Sequence, residues 1–270
     1  MINDCLVSVK IAMKARVSSV ALWLLTALLV IVWMAVQFSA RQPATIALDV
    51  GLSVIRLALP LLVILLTQEL FSREFERKLF LTSFTYPRSR GNWLLGRTLA
   101  IFLMSMGMLL LMSLLLAGLT TYAGSSYAQT TPVSLSTPYM ITLGFIAADL
   151  LVAISISILL AVSATTPSFV LIGSIGFLII ARSYTPIIEL LRNTPSVVSE
   201  FADPHLYQDS LGLIAFVLPD LGRLDVRMIA LYDQIKFLPS DWLLLLTATM
   251  FYAAALFGLA IWVLNKREFS

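Results

Sequence analysis

The sequence predicts an all-α, polytopic membrane protein with six transmembrane helices and with both termini in the cytoplasm. Three observations predict this fold class. Of the 270 residues, 59% are hydrophobic and only 12% are charged, whereas a soluble domain of this size carries about 25% charged residues. Six apolar segments are long enough to cross the hydrocarbon, which takes about 20 helical residues. The lysines and arginines gather on one side of these segments.

The six apolar segments follow one another along the whole chain. Because backbone groups in lipid must bond to one another, each segment is predicted to be helical. The fifth is the weakest, since Arg182 and Pro186 lie near its end. The predicted spans are Val20–Ala40, Ile46–Thr67, Trp93–Leu119, Tyr139–Val162, Ser168–Ile188 and Trp242–Leu264.

Basic residues distinguish the two sides of the predicted membrane domain. Cytoplasmic segments carry an excess of lysine and arginine, and both termini and the link between spans two and three are rich in them. By contrast, residues 120–138 carry no charge and residues 189–241 hold more acidic than basic residues. The net charge of +3 therefore indicates membrane topology and not nucleic-acid binding. The basic residues on the predicted inner side are Lys10, Lys14, Arg16, Arg73, Arg77, Lys78, Arg88, Arg90, Lys266 and Arg267.

Residues 1–270 are predicted to form a single transmembrane domain with three segments outside the spans. Residues 1–19 are a cytoplasmic amphipathic segment, in which a helix over Leu6–Val17 lies on the membrane surface. Residues 71–92, called the inner link below, are cytoplasmic. Residues 189–241, called the outer link, are extracytoplasmic. Within the outer link, Leu211–Leu218 is too short to span and either re-enters the membrane or lies in the interface.

The inner link has the pattern of an amphipathic helix. Its apolar residues Phe71, Phe75 and Leu79 recur at near-helical spacing. The helix is predicted to end near Tyr86, because the following proline disfavours a helical conformation there. Two interpretations are open: a helix that lies on lipid headgroups, or a docking surface for another protein. The polar face carries Arg73, Glu74, Glu76, Arg77 and Lys78.

Two charged residues fall near the middle of predicted spans. Asp149 lies ~16 Å into span four at ~1.5 Å per residue, and Arg56 lies at a similar depth in span two. A lone charge at that depth costs roughly 2.5–3.5 kcal/mol on insertion scales, so we expect the two to face each other. Three roles are open: a static ion pair that fixes helix packing, part of the lining of a substrate path, or a proton-relay site at Asp149.

The sequence contains no motif of a soluble enzyme. It has no glycine-rich phosphate loop followed by lysine, no nucleophile elbow and no HExxH zinc pattern. Cys5 is the only cysteine, so no internal disulfide can form. Asp203, His205 and Asp209 lie close together, but a solvated loop is a better interpretation than a weak metal site. We therefore predict no catalytic residues, no bound metal and no cofactor held by this chain.

The inner link and its flanks resemble a known family. Span two leads into Ser72, Glu74 and Glu76 in the order Ser-x-Glu-x-Glu. The turn Pro87-Arg88-Ser89-Arg90 follows, and Leu95-Gly96-Arg97 opens span three. This stretch resembles type-2 ABC transporter permeases, which usually have Gly-Thr where this chain has Arg77-Lys78. The six spans, the inside termini and the large outer link resemble the family in outline. The basic tail also resembles the family's ending, and the stretch 218–225 is most similar to permeases grouped with multicopper-enzyme maturation.

The resemblance implies a function and partners. Such permeases form homodimers or heterodimers and bind two cytoplasmic ATPase subunits, which hold ATP and Mg²⁺. It therefore implies the permease subunit of an exporter in the cell inner (plasma) membrane, with the substrate path along the dimer interface. Two alternatives are a secondary transporter or channel that uses Arg56 and Asp149, and a membrane scaffold or assembly factor. The residues implied to couple the ATPase to the membrane domain are Glu69, Arg73, Glu74, Glu76, Arg77 and Lys78.

Overall fold

The structure is a computed structural model, which describes residues 2–14, 17–39, 42–72, 90–125, 133, 135–164, 166–193 and 218–266. These residues form helices and short turns and contain no β-strand. The eight α-helices of this part of the chain are α1 (Ile2–Lys14), α2 (Val17–Gln37), α3 (Pro43–Thr67), α4 (Arg90–Ser125), α5 (Thr137–Ser163), α6 (Pro167–Asn193), α7 (Met228–Tyr232) and α8 (Trp242–Lys266).

Within the described ranges, six helices are long and apolar enough to cross a membrane, namely α2 to α6 and α8. The predicted fold class is confirmed in this respect, while the cytoplasmic location of the termini stays a prediction. The mean hydropathy of the span in α6 is 1.5, against 2.0 to 2.6 in the other five. The fifth span is therefore the weakest, as its Arg182 indicates.

Prolines help to set the starts of three helices. Pro43 opens α3, Pro138 lies in the first turn of α5, and Pro167 opens α6. The first turn suits proline because its missing N–H would have no partner there. The 36 residues of α4 extend about 54 Å, which exceeds the hydrocarbon thickness of about 30 Å. Its last turns include Thr120 and Thr121, whose hydroxyls donate to carbonyls of the same helix.

The core of the bundle lies around α5. In the membrane-spanning part of α5, 78% of the residues are buried, against 11% in that of α2. Helix α5 packs against α3, α4, α6 and α8, whereas α2 packs against α3 and α4. The outer face of α2 exposes large apolar side chains such as Leu22 and Trp23, as expected for a helix that contacts lipid.

Two further contacts define the packing of α4. Helix α3 approaches α4 closely at Gly51, where an added Cβ would clash with the side chain of Leu116. Helix α1 also packs against α4, and its buried residues include Cys5, Ser8 and Ala12. The N-terminal helix covers Ile2–Lys14, whereas the sequence predicts a helix over Leu6–Val17.

Residues 189–193 of the predicted outer link belong to α6, and its other described residues, 218–241, fold against the bundle. It contains the 3-10 turns Gly222–Leu224 and Ile235–Phe237, with α7 between them. Its side chains Leu221, Leu224 and Ile229 are buried. The predicted apolar stretch Leu211–Leu218 lies almost entirely outside the described residues.

Candidate functional site

Within the described residues, six charged side chains come together where the outer link meets the bundle. They are called the charge network below: Asp49 and Arg56 on α3, Asp149 on α5, Arg182 on α6, and Asp225 and Arg227 on the outer link. Three arginines balance three aspartates, so the network is neutral when all six are ionised. Such balance is expected of charges at membrane depth, because an unpaired charge there is costly.

Asp149 holds the buried end of the charge network. Its side chain is 1% exposed, and Oδ2 lies 3.9 Å from Nε of Arg56. The structure therefore brings together the two residues that the sequence predicts to face each other. The closer partner of Asp149 is Arg182, whose Nη2 donates to the same Oδ2. Two guanidinium groups thus converge on one carboxylate oxygen.

Sequence reasoning placed Arg182 in span five but did not pair it with Asp149. Asp149 lies ~21 Å before the end of α5 at Ser163, and Arg182 lies ~22 Å after the start of α6 at Pro167. Because α5 and α6 are antiparallel neighbours joined by a short connection, the two residues lie at the same depth, measured along the bundle from that connection. That matching depth is the signal that could have identified the pair.

Arg56 joins the bundle to the outer link. Its Nη1 lies 2.5 Å from Oδ2 of Asp225, and its Nη2 donates to the carbonyl oxygen of Leu221 at 2.6 Å. With Asp149 at its Nε, all three nitrogens of the guanidinium group face an oxygen. The planar guanidinium group can serve several acceptors at once, which an ammonium group cannot do with this geometry.

Arg227 forms a second connection between the outer link and α3. Its Nη1 lies 3.1 Å from Oδ1 of Asp49 and donates to Oγ of Ser53. Its Nε lies 3.5 Å from Oδ1 of Asp225. Ser53 in turn donates to the backbone carbonyl of Asp49 at 2.8 Å, so these two residues, one turn apart on α3, are held together.

The outer link reaches deep into the bundle at this point. Arg56 lies ~20 Å along α3 from Pro43. The backbone N–H of Leu221 donates to the carbonyl oxygen of Ala181 on α6 at 3.2 Å. Irregular backbone is tolerated at membrane depth only where protein or a water-filled cavity surrounds it, and the burial of Leu221 meets that condition. Sequence reasoning did not predict this insertion.

A small cavity adjoins the charge network between α3, α5 and the outer link. Its volume is about 10 Å³, which is enough for about one water molecule. Charged, hydroxyl and apolar side chains share its wall: Arg56, Asp225 and Arg227; Ser53 and Thr142; and Leu52, Ile146, Leu224 and Val226.

A second polar cluster lies at the opposite end of the bundle, where the inner link begins. Helix α3 continues into a π-helical turn, Gln68–Ser72. The buried Arg97 of α4 donates to the carbonyl oxygen of Leu70 in this turn, and its guanidinium carbon lies 4.4 Å from the ring centre of Trp93. The wider π turn breaks the regular backbone hydrogen bonding, and Arg97 supplies a donor to it.

The same turn also contacts two other helices of the inner end. Phe71 is buried and meets Trp93 of α4 edge to face, with ring centres 5.5 Å apart. Nε2 of Gln68 donates to the carbonyl oxygen of Pro167, the first residue of α6, at 2.7 Å. The ends of α3, α4 and α6 are therefore connected here.

The predicted coupling residues divide into two groups. Glu69 belongs to the π turn. The other five, Arg73, Glu74, Glu76, Arg77 and Lys78, lie outside the described residues. The candidate metal group around His205 also lies outside them. Arg97 stands in the Leu-Gly-Arg stretch that resembles the family, but nothing in the local sequence indicates that its side chain is buried.

One ion pair lies at the edge of the membrane domain. Nη2 of Arg223 contacts both carboxylate oxygens of Asp241, at 2.7 and 2.9 Å. Both side chains are exposed. The hydrogen bonds from Arg223 hold the pKa of the Asp241 carboxyl below its ordinary value.

In the part of the chain that the structure describes, no group of three or more histidine, cysteine, aspartate or glutamate side chains is arranged to hold a metal ion. No family model matches the chain, and no curated protein matches its sequence.

Proposed function

We propose that this chain is the membrane-spanning permease subunit of an ATP-driven ABC exporter, with the ATPase on a separate chain. The observation that carries the proposal is the sequence pattern of the inner link and its flanks. Its Ser-x-Glu-x-Glu order from Ser72, its turn at Pro87 and its Leu-Gly-Arg entry to α4 resemble the coupling region of type-2 ABC permeases.

The anchoring of the inner link supports this proposal. A segment that relays force needs firm attachment at both ends. The π turn before residues 73–89 contacts α4 through Arg97 and Trp93, and it contacts α6 through Gln68. A displacement of residues 73–89 would therefore act on α3, α4 and α6 together.

Three kinds of partner follow from this function: ATPase subunits, a second permease chain and the substrate. The ATPase subunits dock on the inner link from the cytoplasm and bind ATP and Mg²⁺. A second permease chain, identical or different, completes a dimer in the cell inner membrane, and substrate moves along the interface between the two. Glu69, Glu74 and Arg77 belong to the coupling surface.

Co-purification with an ATPase tests the proposal. The chain is co-expressed with an ABC ATPase encoded beside it, and ATP turnover is measured in proteoliposomes. We expect Glu74→Ala and Arg77→Ala to lower turnover about tenfold, because each removes a charged contact across the docking surface. Lys236→Ala, a basic residue of the outer link, serves as the matched control and keeps the wild-type rate. An ATPase that neither co-purifies nor responds to these variants would contradict the proposal.

The charge network supports one alternative, a secondary transporter or channel that uses Arg56 and Asp149. Two arginines engage the same oxygen of Asp149, an arrangement that favours a packing role over an open proton relay. Proton-driven flux through the isolated chain in liposomes, abolished by Asp149→Asn, would support the alternative. The absence of both ATPase stimulation and flux would point instead to a membrane scaffold or assembly factor.

A further inference from the structure

Two arginines hold the carboxylate of Asp225, as they would hold an anionic ligand. Its Oδ2 lies 2.5 Å from Nη1 of Arg56, and its Oδ1 lies 3.5 Å from Nε of Arg227. Two guanidinium groups thus bind one carboxylate from two sides. Arginine pairs of this kind recognise carboxylate and phosphate groups through charge-assisted hydrogen bonds.

Both arginines are anchored to α3, although Arg227 itself lies in the outer link, two residues after Asp225. Arg56 is fixed on α3, and Arg227 is fixed to the same helix through Asp49 and Ser53. Asp225 lies between the 3-10 turn Gly222–Leu224 and α7, and its side chain is 29% exposed. The carboxylate can therefore leave the two arginines with a smaller rearrangement than either arginine would need.

Departure of Asp225 would leave the charge network unbalanced. Arg56, Arg182 and Arg227 would then face only Asp49 and Asp149. An unpaired charge in a buried site is strongly destabilising, so the vacated position favours another anion. Asp49 and Arg227 are 47% and 35% exposed, and they give access to the site from the end of the bundle where α3 begins.

We propose that Arg56 and Arg227 form a binding site for the anionic head of an amphiphilic molecule, and that Asp225 occupies this site when the ligand is absent. The chemistry that the site recognises is a phosphate or carboxylate group next to an apolar body. Ile46, one turn before Asp49, and Met228, next to Arg227, are exposed apolar side chains, which would contact the apolar part. The inference goes beyond the proposed permease function and is independent of it, since binding can be measured on the isolated chain.

Lipid titration of the full-length chain in a neutral detergent tests the proposal, with native mass spectrometry as the readout. The probes are phosphatidylglycerol, phosphatidylcholine and inorganic phosphate. We expect Asp225→Asn to bind phosphatidylglycerol about fivefold more tightly than the wild type, because removal of a competing occupant raises the competent fraction. Arg227→Gln should weaken this binding by about the same factor in either background, since it removes a charged contact.

Two control variants separate the site from general charge effects. Asp241→Asn removes a carboxylate that also pairs with an arginine of the outer link but lies outside the charge network, and it should bind lipid like the wild type. Lys236→Ala removes a basic residue of the outer link that lies outside the charge network, and it should also bind lipid like the wild type. Thermal melts of each variant establish that it is folded, and Arg227→Gln in the wild-type background suffices if Asp225→Asn does not fold.

The probes distinguish the sources of the anion. Binding of phosphatidylglycerol that phosphate does not displace would assign the site to a lipid-like headgroup, whereas displacement by phosphate would assign it to a small soluble anion. Equal affinity for phosphatidylglycerol in the wild type, Asp225→Asn and Arg227→Gln would overturn the proposal. Equal binding of phosphatidylcholine would overturn it as well.

Discussion

Nη2 of Arg182 donates a hydrogen bond to Oδ2 of Asp149 between two antiparallel membrane helices. This contact connects α6 to α5 at the depth where Arg56 approaches the same oxygen from α3. Three helices that pack mainly through apolar side chains are thereby held in one relative position. The pairing explains how Asp149 is accommodated near the centre of the most buried span.

We expect Asp149→Asn to destabilise the protein by about 3 kcal/mol, because it leaves Arg182 and Arg56 without their shared carboxylate. Unfolding by denaturant or heat in detergent measures the effect. The double variant Asp149→Asn with Arg182→Gln should lose less stability than the sum of the two single variants, as expected for residues in contact. Additive losses would show that the two side chains do not interact.

Removal of two buried serine hydroxyls should raise the stability of the protein, whereas removal of the Asp149 carboxylate should lower it. Among the described residues, Ser157 and Ser174 are fully buried in α5 and α6 and their hydroxyls have no hydrogen-bond partner. We expect Ser157→Ala and Ser174→Ala each to stabilise the protein by about 1 kcal/mol, because they remove an unsatisfied buried group. Ser155 is the matched control, since its hydroxyl donates to the carbonyl oxygen of Leu151 at 2.9 Å. A rise in melting temperature for Ser155→Ala equal to that for Ser157→Ala would contradict this explanation.

The stability of the inner end of the bundle depends on the planar shape of the Arg97 guanidinium group as well as on its charge. We expect Arg97→Lys to lower stability by about 1–2 kcal/mol, because lysine cannot both stack on Trp93 and reach the carbonyl of Leu70. Lys266, which lies 4.3 Å from the ring centre of the exposed Trp262, provides the comparison. Lys266→Ala should change stability by less than about 0.5 kcal/mol in the same thermal melts. Wild-type stability in Arg97→Lys would contradict the assigned role.

The pair of Arg223 and Asp241 predicts a dependence on pH. Since the pKa of Asp241 is lowered in the folded protein, the pair stabilises the fold above the unfolded pKa of about 4. This contribution is lost as the pH falls through the lower, folded pKa. We expect the difference in melting temperature between the wild type and Arg223→Gln to shrink as the pH is lowered from 6 to 3. A constant difference across that range would indicate that the ion pair contributes nothing.

The membrane helices could be predicted from the sequence because their signal is local. An apolar run of about 20 residues specifies a span wherever it occurs, and the six predicted spans correspond to α2, α3, α4, α5, α6 and α8. The boundaries were harder to predict. Helix α4 continues to Ser125, beyond the predicted end at Leu119, because a helix need not end where the hydrocarbon ends.

The charge network could be predicted only in part. Arg56 and Asp149 are visible as isolated charges inside spans, and the expected cost of burial indicates a partner for each. Asp225 and Arg227 lie in a link where charges are ordinary, so nothing in the local sequence indicates that they reach α3. Contacts between residues more than 160 positions apart depend on how the outer link folds, which hydrophobic periodicity does not specify.

Cysteine labelling at the inner link tests the central claim, that residues 71–92 face the cytoplasm between spans two and three. Cys5 is the only cysteine, so Cys5→Ser provides a background in which Arg77→Cys and Arg223→Cys can each be introduced alone. A membrane-impermeant maleimide is applied to intact cells and to permeabilised cells. We expect Cys at position 77 to react only after permeabilisation and Cys at position 223 to react in intact cells. Labelling of position 77 from outside intact cells would contradict the claim.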